Sequence, residues 1–579
     1  MFKKKTIVRI ADKVISDEIK QSGIHPVLQS IYSHRDIVNA EQINYSLQRM
    51  LPLDKLKGLT EAIPILKEAV EKNKKILIVG DFDADGATST AVCHRALTMM
   101  GAQHVAYLVP NRFDFGYGLT PELVEVAKQN MPDILITVDN GISSIAGVKA
   151  AIEAGIKVVV TDHHLAGDEL PEANAIINPN QPGCEFPSKN LAGVGVIFYV
   201  MLALRQALRD ANWFNENRPQ LNMANLLDIV ALGTVADVVP LDDNNRILVA
   251  QGIKRIQAGQ CCVGIQALLQ VAGRDIKTMV SSDLGFSVGP RLNAAGRLED
   301  MSLGIECLLT DDMSRALHIA QQLDELNKSR REIEQGMQQQ AMTTLKPLLE
   351  NLNEKDLPKG LCIFDAEWHQ GVIGILASRI KEKFNRPVIA FASSDNGEIK
   401  GSARSIKGLH IRDALDVVDK KHPGIILKFG GHAMAAGLTI KESDFEIFKQ
   451  AFNQIASEQL SDEALQGVIE SDGELNAADI NLQFAEELRV AGPWGQHFSE
   501  PVFDGEFEVT DWRVVGERHL KMQLATADSI ELIDAIAFNM DASLLEECDG
   551  FIHAAYRLDV NSFRNKKSVQ LMIEYFESI

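Results

Sequence analysis

Residues 75–100, KILIVGDFDADGATSTAVCHRALTMM, decide the fold, because a strand-like run and a helical pattern meet there across a cluster of acids. The apolar run at 76–79 predicts a buried strand, and the apolar residues within 91–100 recur at helical spacing. The acids between them, followed directly by Gly86, are Asp81, Asp83 and Asp85. This order predicts that the acids lie just beyond the end of a strand.

Acids in such a position are costly to bury, since an unpaired carboxylate loses its hydration without compensation. Three carboxylates so close together also repel one another, and a divalent cation would neutralise them. The alternative is a helix N-cap with acidic residues in its first turn, which explains one or two of the three acids. The sequence favours a metal site, and the helix N-cap remains the alternative interpretation.

The length of the chain, 579 residues, predicts three or four domains. Its hydrophobic content of 46% and charged content of 24% are ordinary for a soluble globular protein. No apolar run reaches the ~18 residues of a membrane span, and the basic start MFKKKTIVRIADK has no apolar run typical of a secretory signal. The seven cysteines are scattered without a CxxC pair, which predicts a reducing, cytoplasmic location and argues against disulfides or a thiolate zinc site.

The net charge of −21 argues at first against a nucleic-acid partner, because phosphate binding usually requires a basic surplus. However, metal-binding acids inflate the negative count, and a local basic groove can exist on an acidic body. Charge alone therefore leaves the substrate open.

From residue 75 onward, strand and helix patterns alternate. The predicted strands are 75–80, 104–109, 134–138 and 157–161, and the predicted helices are 87–100, 121–130 and 142–154. Such alternation predicts an α/β fold with a parallel sheet, helices on both faces, and ligands at the carboxyl ends of the strands.

The ends of later elements are consistent with that rule. The residues that follow the strands at 134–138 and 157–161 and the apolar helix at 226–235 are Asp139, then Asp162, His163 and His164, then Asp237. Carboxylates with imidazole form a mixed oxygen and nitrogen set that suits Mn²⁺ or Mg²⁺. Any one of these residues is equally explained as a turn acid or a loop histidine, but ligand-type residues at several strand ends favour a metal centre.

Enough acids for two ions indicate hydrolysis of a phosphate ester by a two-metal mechanism. Such a mechanism also needs cations for the non-bridging phosphate oxygens. The candidates are Arg291 and Arg297 in GPRLNAAGR and Arg404 in GSARS. A structural turn with solvated charges is the alternative for the first pair.

Taken in order, DFDADG, VDNG, TDHH and ALGTVADVVPL resemble the four motifs of the DHH phosphoesterase superfamily. The later GPRLNAAGR and GGHAMAAGLTI, followed by a further C-terminal domain, resemble its branch of bacterial exonucleases specific for single-stranded DNA. The resemblance covers the chain from about residue 75 to its end. Six motifs in order are far more specific than a lone DHH.

The resemblance implies a role for each motif residue, and it implies two ions, either Mn²⁺ or Mg²⁺. The implied metal ligands are Asp83, Asp85, Asp139, His163 and Asp237, with Asp139 bridging the ions. His164 would lie against the scissile phosphate, and Asp81 would be a ligand or a neighbour of one. Many members carry a histidine four residues before the first ligand aspartate, where this chain has Val79, which raises the weight on Asp81.

The loop VPNRFDFGYGLT at 109–120 is a candidate substrate contact. Its Arg112 and Tyr117, with Phe113 and Phe115, would hold a phosphate and stack a terminal base. The alternative is an aromatic loop packed on the next helix. By contrast, Gly193 and the nearby Gly195 are interpreted as packing positions, since no strand immediately precedes them.

After residue 240 the chain is predicted to be mostly helical, with one long connecting helix at 311–349. A second α/β unit follows, in which Ser402, Arg404 and His432 beside two glycines would cradle a phosphate. This unit resembles the DHHA1 substrate-binding domain. A histidine satisfied within the core is the alternative for His432.

The last part of the chain changes to short alternating strands, which predict a small β-barrel of the OB type. Basic residues on or between these strands suit single-stranded nucleic acid, with protein docking as the alternative. They are Arg513, Arg518, His519, Lys521, Arg557, Arg564, Lys566 and Lys567.

The sequence thus predicts an α/β multidomain protein with a parallel-sheet catalytic lobe, a connecting helix, a smaller α/β lobe and an OB-type barrel. The expected boundaries are an N-terminal helical appendage at 1–70, a DHH domain at 71–245, a helical region at 246–355, a DHHA1 domain at 356–462 and the barrel at 463–579.

The resemblance implies a metal-dependent exonuclease that degrades single-stranded DNA in the 5′→3′ direction to mononucleotides, in recombination, repair and mismatch repair. By family analogy its partners would be a single-strand-binding protein and a helicase, and the protein would be a monomer. One alternative is a phosphodiesterase acting on short oligonucleotides or cyclic dinucleotides. A second is a non-catalytic scaffold that binds single-stranded DNA.

Overall fold

The computed structural model describes residues 5–111, 118–351, 357–516, 519–526, 531–540, 542–546, 548–563 and 566–579. The chain divides into two compact units. The first comprises Met1–Arg9 and Lys328–Ser471, and the second comprises Ile10–Asn327 and Asp472–Ile579.

The strands, in chain order, are β1 (Thr6–Arg9), β2 (Ile76–Val79), β3 (Val105–Leu108), β4 (Ile134–Val138), β5 (Lys157–Thr161), β6 (Ala175–Ile177), β7 (Leu361–Asp365), β8 (Val388–Ser393), β9 (Glu398–Arg404), β10 (Ile426–Gly431), β11 (Ala435–Lys441), β12 (Val468–Ser471), β13 (Phe503–Val515), β14 (His519–Ala525), β15 (Ile533–Ala537), β16 (Phe551–Phe563) and β17 (Lys566–Ser578).

The α-helices, in chain order, are α1 (Asp17–Gln21), α2 (Pro26–His34), α3 (Leu59–Glu71), α4 (Ala84–Met99), α5 (Pro121–Ala127), α6 (Ile145–Glu153), α7 (Gly193–Asp210), α8 (Leu227–Ala236), α9 (Asp243–Gln257), α10 (Val263–Val271), α11 (Ser281–Asp283), α12 (Gly289–Leu298), α13 (Ser302–Leu309), α14 (Met313–Asn351), α15 (Ile373–Phe384), α16 (Ile411–Lys421), α17 (Phe445–Gln459), α18 (Leu482–Val490) and α19 (Ser543–Glu546). A π-helical turn, Leu284–Val288, precedes α12.

The second unit contains a parallel sheet with the strand order β3-β2-β4-β5-β6. In β2, Ile76 and Ile78 pack into one hydrophobic core, whereas Leu77 and Val79 pack into another on the opposite face. Both faces are therefore covered, which explains why β2 and β4 are buried at every position and mostly apolar. The predicted parallel sheet is confirmed, and its strands agree with the predicted ranges to within a residue or two.

The N-terminal 70 residues are less helical than predicted. Thr6–Arg9 is the strand β1, which pairs in parallel with β12, as its β-branched residues favour. Residues 37–51 form two short 3₁₀ turns, Ala40–Ile43 and Leu47–Arg49, and Asn39 caps the start of the first turn with a capping box. The last part of this predicted helical region does form a helix, α3 (Leu59–Glu71).

The helical region that follows the parallel sheet includes α14, whose range Met313–Asn351 is close to the predicted 311–349. The boundary between the two units falls within this helix, between Asn327 and Lys328. The first unit also contains a mixed sheet with the strand order β10-β11-β9-β8-β7, in which β7 and β8 are parallel.

The C-terminal strands close into a barrel with the order β13-β14-β15-β17-β16, as predicted. The barrel belongs to the second unit, and its buried residues join the same core cluster as the helices of that unit. Among the described residues, no helix combines the length and the apolar character that a membrane crossing requires.

Candidate metal centre

The acidic loop after β2 serves both as a helix cap and as a ligand source. Asp83 is the N-cap of α4, and its Oδ1 accepts the backbone N–H groups of Asp85 at 2.9 Å and Gly86 at 3.1 Å. The cap therefore explains Asp83, as the alternative proposed. It does not explain Asp81 and Asp85, which are almost fully buried.

The first turn of α7 holds Asp85 in place. The Asp85 carboxylate accepts the N–H of Gly193 at 2.6 Å through Oδ2 and that of Val194 at 2.9 Å through Oδ1. The first N–H groups of a helix have no partner within the helix, so they are available to an anionic side chain. Gly193 is thus a packing position, as predicted, and it also binds a site acid through its backbone.

Asp139 follows β4 and is 2% exposed. Its φ of +61° lies in the left-handed region, which Asp tolerates better than most residues. A Cβ on Gly193 would lie 2.6 Å from the Asp139 Cβ and 2.7 Å from its Oδ1. Glycine at 193 is therefore what allows α7 to approach the Asp139 carboxylate so closely.

His163 lies among acids from three other segments. Its Nε2 is 3.1 Å from Asp139 Oδ1, 3.5 Å from Asp237 Oδ2 and 3.9 Å from Asp85 Oδ2. The ligand-type atoms form three groups, and within each group the atoms lie within 4.8 Å of one another. The groups are Asp81 with Asp83 and Asp139, Asp139 with His163 and His164, and Asp85 with His163 and Asp237. All the predicted metal ligands are thus brought together.

Burial and mutual repulsion make these acids hard to ionise. Burial raises the pKa of Asp85 and Asp139 well above the usual range, and the negative charges of neighbouring aspartates raise it further. Burial also raises the pKa of Asp237. Burial lowers the pKa of His163, which keeps its imidazole neutral and able to act as a ligand.

These residues fit divalent cations. Within the described residues, His163 Nε2 and Asp237 Oδ2 are buried and make no hydrogen bond. Crowded carboxylates with raised pKa values and a neutral imidazole are the donor set that Mn²⁺ and Mg²⁺ accept. A bound cation would replace the protons that these acids otherwise need at neutral pH.

The sequence places Asp162 among the ligand-type residues at strand ends, but the family resemblance assigns it no role. It is 1% exposed and accepts the N–H of Ile142 at 2.8 Å and that of His163 at 2.7 Å. Its Oδ1 lies 2.7 Å from His164 Nδ1. The signal in the sequence was its place directly after β5, the same place that Asp139 has after β4.

The contact with Asp162 makes His164 a cation. Burial of the His164 ring lowers its pKa, but the hydrogen bond and charge of Asp162 outweigh burial and raise the pKa to about 9. Burial would raise the pKa of Asp162, and the contact with His164 reverses this and lowers it. His164 therefore presents positive charge at the edge of the metal centre near neutral pH.

The two arginines of GPRLNAAGR lie on α12 in different surroundings. Arg291 is 9% exposed; its Nη2 lies 2.8 Å from Asp324 Oδ1, and its Nη1 donates to the Ser287 carbonyl. Arg297 is half-buried in the last turn of the helix. A phosphate role for either stays a prediction, and Arg291 would have to exchange its bond to Asp324 for the phosphate.

In the first unit, Arg404 and Ser402 lie on β9 beside the start of α15. Arg404 Nη1 is 3.2 Å from Ser402 Oγ, and a Cβ on Gly374 would lie 2.9 Å from that oxygen and 3.0 Å from Arg404 Nη2. Among the described residues, no side chain of the N-cap accepts a hydrogen bond from the first N–H groups of α15. Burial lowers the pKa of Arg404, so an anion here would be strongly stabilised.

His432 lies between β10 and β11, where its backbone N–H donates to the Ala435 carbonyl at 2.8 Å. The residue is exposed, so the alternative of a histidine buried in the core is wrong. The short connection between the two strands forces it outward. Arg112 and Tyr117, the predicted contacts of the 109–120 loop, lie outside the described residues.

Some of the barrel cations are paired with acids, whereas Arg518 and Arg564 lie outside the described residues. Arg557 lies 2.7 Å from Glu500 and 2.8 Å from Glu574, and Lys567 lies 2.6 Å from Glu486. Arg513, on β13, is exposed and has no ion pair within the described part of the chain. Of these three cations, Arg513 is the most available to an anionic partner.

Comparison with protein-family models gives three matches along the chain. Residues 75–234 match the DHH family, N-terminal domain; residues 358–458 match the DHHA1 domain; and residues 471–575 match the RecJ OB domain. The metal centre lies within the first match, apart from Asp237.

Several relatives that match nearly the whole chain are named single-stranded-DNA-specific exonuclease RecJ. The chain is 53% identical over 552 residues to the single-stranded-DNA-specific exonuclease RecJ of Escherichia coli, covering 95% of both chains. It is 34% identical to the protein of that name from Bacillus subtilis, covering 96% of this chain and 68% of that one. A crystal structure of RecJ from Thermus thermophilus in complex with Mn²⁺ aligns with a TM-score of 0.81 at 28% identity, covering 99% of this chain and 79% of that one. The chain therefore belongs to the RecJ family.

Proposed function

We propose that the protein is a metal-dependent exonuclease that degrades single-stranded DNA from its 5′ end and releases mononucleotides. The observation that carries this proposal is the sharing of Asp139 and His163 among the three groups of ligand-type atoms. Shared donors between adjacent groups are what two closely spaced ions require.

The sharing also suggests how the ligands divide. One ion would be held by Asp81, Asp83 and Asp139, and the other by Asp85, His163 and Asp237, with Asp139 between them. Bound divalent ions supply a nucleophilic water at neutral pH and stabilise negative charge on phosphorus. The Asp139 carboxylate would set the spacing between the ions, because it lies within reach of both groups.

The remaining residues orient the phosphate and the strand. His164, kept cationic by Asp162, would donate a charge-assisted hydrogen bond to a non-bridging oxygen of the scissile phosphate. In the first unit, Arg404, Ser402 and His432 would bind a phosphate of the substrate. Arg297 and the residues Arg112 and Tyr117 complete the proposed contacts, and Arg291 would join them only after leaving Asp324.

Relatives guide the finer parts of the proposal. Four of them that are at least half identical to this chain are named as single-stranded-DNA-specific exonucleases, which supports the substrate. We further propose the 5′→3′ direction, a cytoplasmic location, a monomeric state and roles in recombination and repair. A single-strand-binding protein and a helicase would be partners. These points rest on family resemblance.

Two alternatives are less well supported. A phosphodiesterase for short oligonucleotides or cyclic dinucleotides needs neither the barrel nor the long helix α14. A non-catalytic scaffold would have lost metal ligands, whereas the acids and histidines of DFDADG, VDNG, TDHH and ALGTVADVVPL are present in this chain.

The test is a time course with the full chain, Mn²⁺, and single-stranded DNA labelled separately at its 5′ and 3′ ends. Duplex DNA, RNA and a dinucleotide are tested in parallel reactions, and Asp139→Ala is the inactive control. We expect immediate release of the 5′ label as mononucleotide, from single-stranded DNA alone. Early release of the 3′ label would contradict the direction, and cleavage of the dinucleotide alone would support the small-substrate alternative. DNA binding without cleavage would support the scaffold.

A further inference from the structure

One face of α12 touches two separate segments that carry metal-binding acids. The face is formed by Gly289, Asn293 and Gly296, which are spaced four and three residues apart and therefore lie above one another on the helix. α12 is also the helix that carries GPRLNAAGR, whose arginines are the residues that sequence reasoning selected.

The middle residue of this face binds the acidic loop directly. Asn293 Oδ1 accepts the backbone N–H of Ala84 at 2.8 Å, although the two residues are 209 positions apart. Ala84 stands between Asp83 and Asp85 and is 1% exposed. The Asp83 side chain already caps the next two N–H groups of α4, so Asn293 satisfies the N–H that Asp83 leaves over.

The other two residues of the face fix how closely the helix approaches. A Cβ on Gly296 would overlap the carbonyl oxygen of Phe82, which stands between Asp81 and Asp83. A Cβ on Gly289 would lie 3.2 Å from the Cβ of Ala236, the residue before Asp237. A single helix face therefore contacts residues adjacent to four of the acids.

We propose that Asn293 is a positioning residue that holds the loop of Asp81, Asp83 and Asp85 in the arrangement that binds divalent cations. The proposal rests on the proposed function for its meaning, but the metal affinity of the chain tests it independently. Removing the Asn293 side chain leaves a buried N–H without a partner at Ala84. The loop would then rotate to find one, and its carboxylates would move apart.

The experiment measures Mn²⁺ binding by the full chain, with free Mn²⁺ counted by electron paramagnetic resonance and no DNA present. We expect Asn293→Ala to weaken Mn²⁺ binding by about tenfold or more, the scale on which residues that orient ligands act. Asn293→Asp keeps an acceptor of the same reach and should bind Mn²⁺ to within about threefold of the unmutated chain.

The matched control is Asn481→Ala. Asn481 Oδ1 accepts the N–H of Phe484 at 2.9 Å at the start of α18, so it makes the same kind of bond in a different part of the same unit. The unfolding temperature of Asn481→Ala should fall by about as much as that of Asn293→Ala, since both changes remove one helix cap. Its Mn²⁺ affinity should not change.

Unchanged Mn²⁺ binding in Asn293→Ala would overturn the proposal, and so would an equal loss in the Asn481 control. Should Asn293→Ala not fold, Gly296→Ala tests the same face, and normal Mn²⁺ binding by that variant would also overturn it. The two proposals fail in different ways. An unmutated chain that binds Mn²⁺ but degrades no single-stranded DNA contradicts the proposed function and leaves the affinity comparison valid.

Discussion

The parallel sheet of the second unit and the mixed sheet of the first unit collect charge of opposite sign. At the ends of β2 and β4 the chain gathers aspartates, and the pKa values of Asp85 and Asp139 are raised by burial and by the charges of neighbouring aspartates. On β9 it gathers Arg404 with a neutral hydroxyl, and burial lowers the pKa of that arginine. An ion of the opposite charge would stabilise each cluster, a divalent cation in one case and, as proposed, a phosphate in the other.

The difference follows from the geometry of the strands. Parallel strands deliver all their carboxyl ends to one edge, so acids from separate motifs meet there whatever their distance in sequence. In the mixed sheet, antiparallel neighbours alternate in direction, and the cation sits along a strand beside the N-terminus of α15. The first arrangement suits a metal, and the second suits an anion that also needs backbone N–H groups.

The largest expected effect is at Asp139, the acid common to two of the ligand groups. We expect Asp139→Asn to lower nuclease activity by at least about 10³-fold, because on the proposed division of the ligands both ions would lose one. The same change should stabilise the metal-free chain by about 0.5–2 kcal/mol, since it removes a buried, repelled carboxylate. Thermal unfolding with and without Mn²⁺ measures both consequences, and a metal-free variant less stable than the unmutated chain would contradict the comparison.

The pH dependence of that stability difference has a definite sign. The pKa of Asp139 is raised in the folded chain, so ionising this carboxylate costs more in the folded than in the unfolded state. The metal-free unmutated chain therefore loses stability relative to Asp139→Asn as the pH rises from below the unfolded pKa of about 3.9 through the raised folded value. Denaturant unfolding of both chains at several pH values, in the presence of a chelator, measures this difference in the free energy of unfolding. A difference that narrows as the pH rises would contradict the prediction.

The next effect concerns the packing of α7 against the metal centre. Gly193→Ala places a Cβ at 2.6 Å from the Asp139 Cβ, whereas Gly195→Ala places one at 3.1 Å from the Leu191 Cδ2. We expect Gly193→Ala to lower kcat by about 10²-fold, because displacing Asp139 misplaces the ions. Gly195→Ala, the matched control, should keep activity within about threefold, since a side chain can yield. Equal losses in the two variants would mean that packing of the helix, and not the approach to Asp139, sets activity.

The next prediction tests the proposal that Arg404, on the mixed sheet, binds a phosphate of the substrate. Arg404→Ala should lower kcat/KM on single-stranded DNA by about 10–100-fold, the value of a charge-assisted phosphate contact, while Mn²⁺ binding stays normal. Arg412→Ala, an exposed arginine of α16 in the same unit, is the charge-matched control and should change little. Steady-state kinetics measures kcat/KM for both variants, and Mn²⁺ titration measures their metal affinity, so a substrate effect is distinguished from a metal effect. Weakened Mn²⁺ binding in Arg404→Ala would remove the contrast between the two sheets.

The parallel sheet and its acids were predictable, because both depend on local patterns. The runs of β2 and β4 are mostly apolar and buried at every position, and the residues that follow a parallel strand lie at the ligand edge. Asp139 and His163 follow from this rule without knowledge of any contact, whereas Asp237 ends the helix α8 and was selected by its motif. The aromatic loop at 112–117 lies outside the described residues and stays a prediction.

Contacts between distant segments were not predictable in the same way. Nothing local in the sequence links Asn293 to Ala84 or Gly193 to Asp85, and the pairing of Arg291 with Asp324 is equally non-local. GPRLNAAGR was noticed for its arginines, yet the contact it makes with the acidic loop runs through an asparagine and a glycine. Charge draws attention in a sequence, whereas small and neutral residues acquire meaning only when their neighbours are known.

The smallest effect is expected in the barrel, where acids already neutralise much of the positive charge. Arg557 is held between Glu500 and Glu574, so releasing it to a phosphate would cost two ion pairs, while the exposed Arg513 has no such pair within the described residues. Arg513→Ala should therefore weaken binding of single-stranded DNA about two- to fivefold. It should also reduce the slope of the logarithm of the binding constant against the logarithm of the salt concentration by the amount expected for about one phosphate contact. Arg557→Ala should leave both nearly unchanged. Fluorescence anisotropy across a salt series measures the two variants, and an equal salt slope in both would show that the pairing with glutamates does not decide which barrel cations meet DNA.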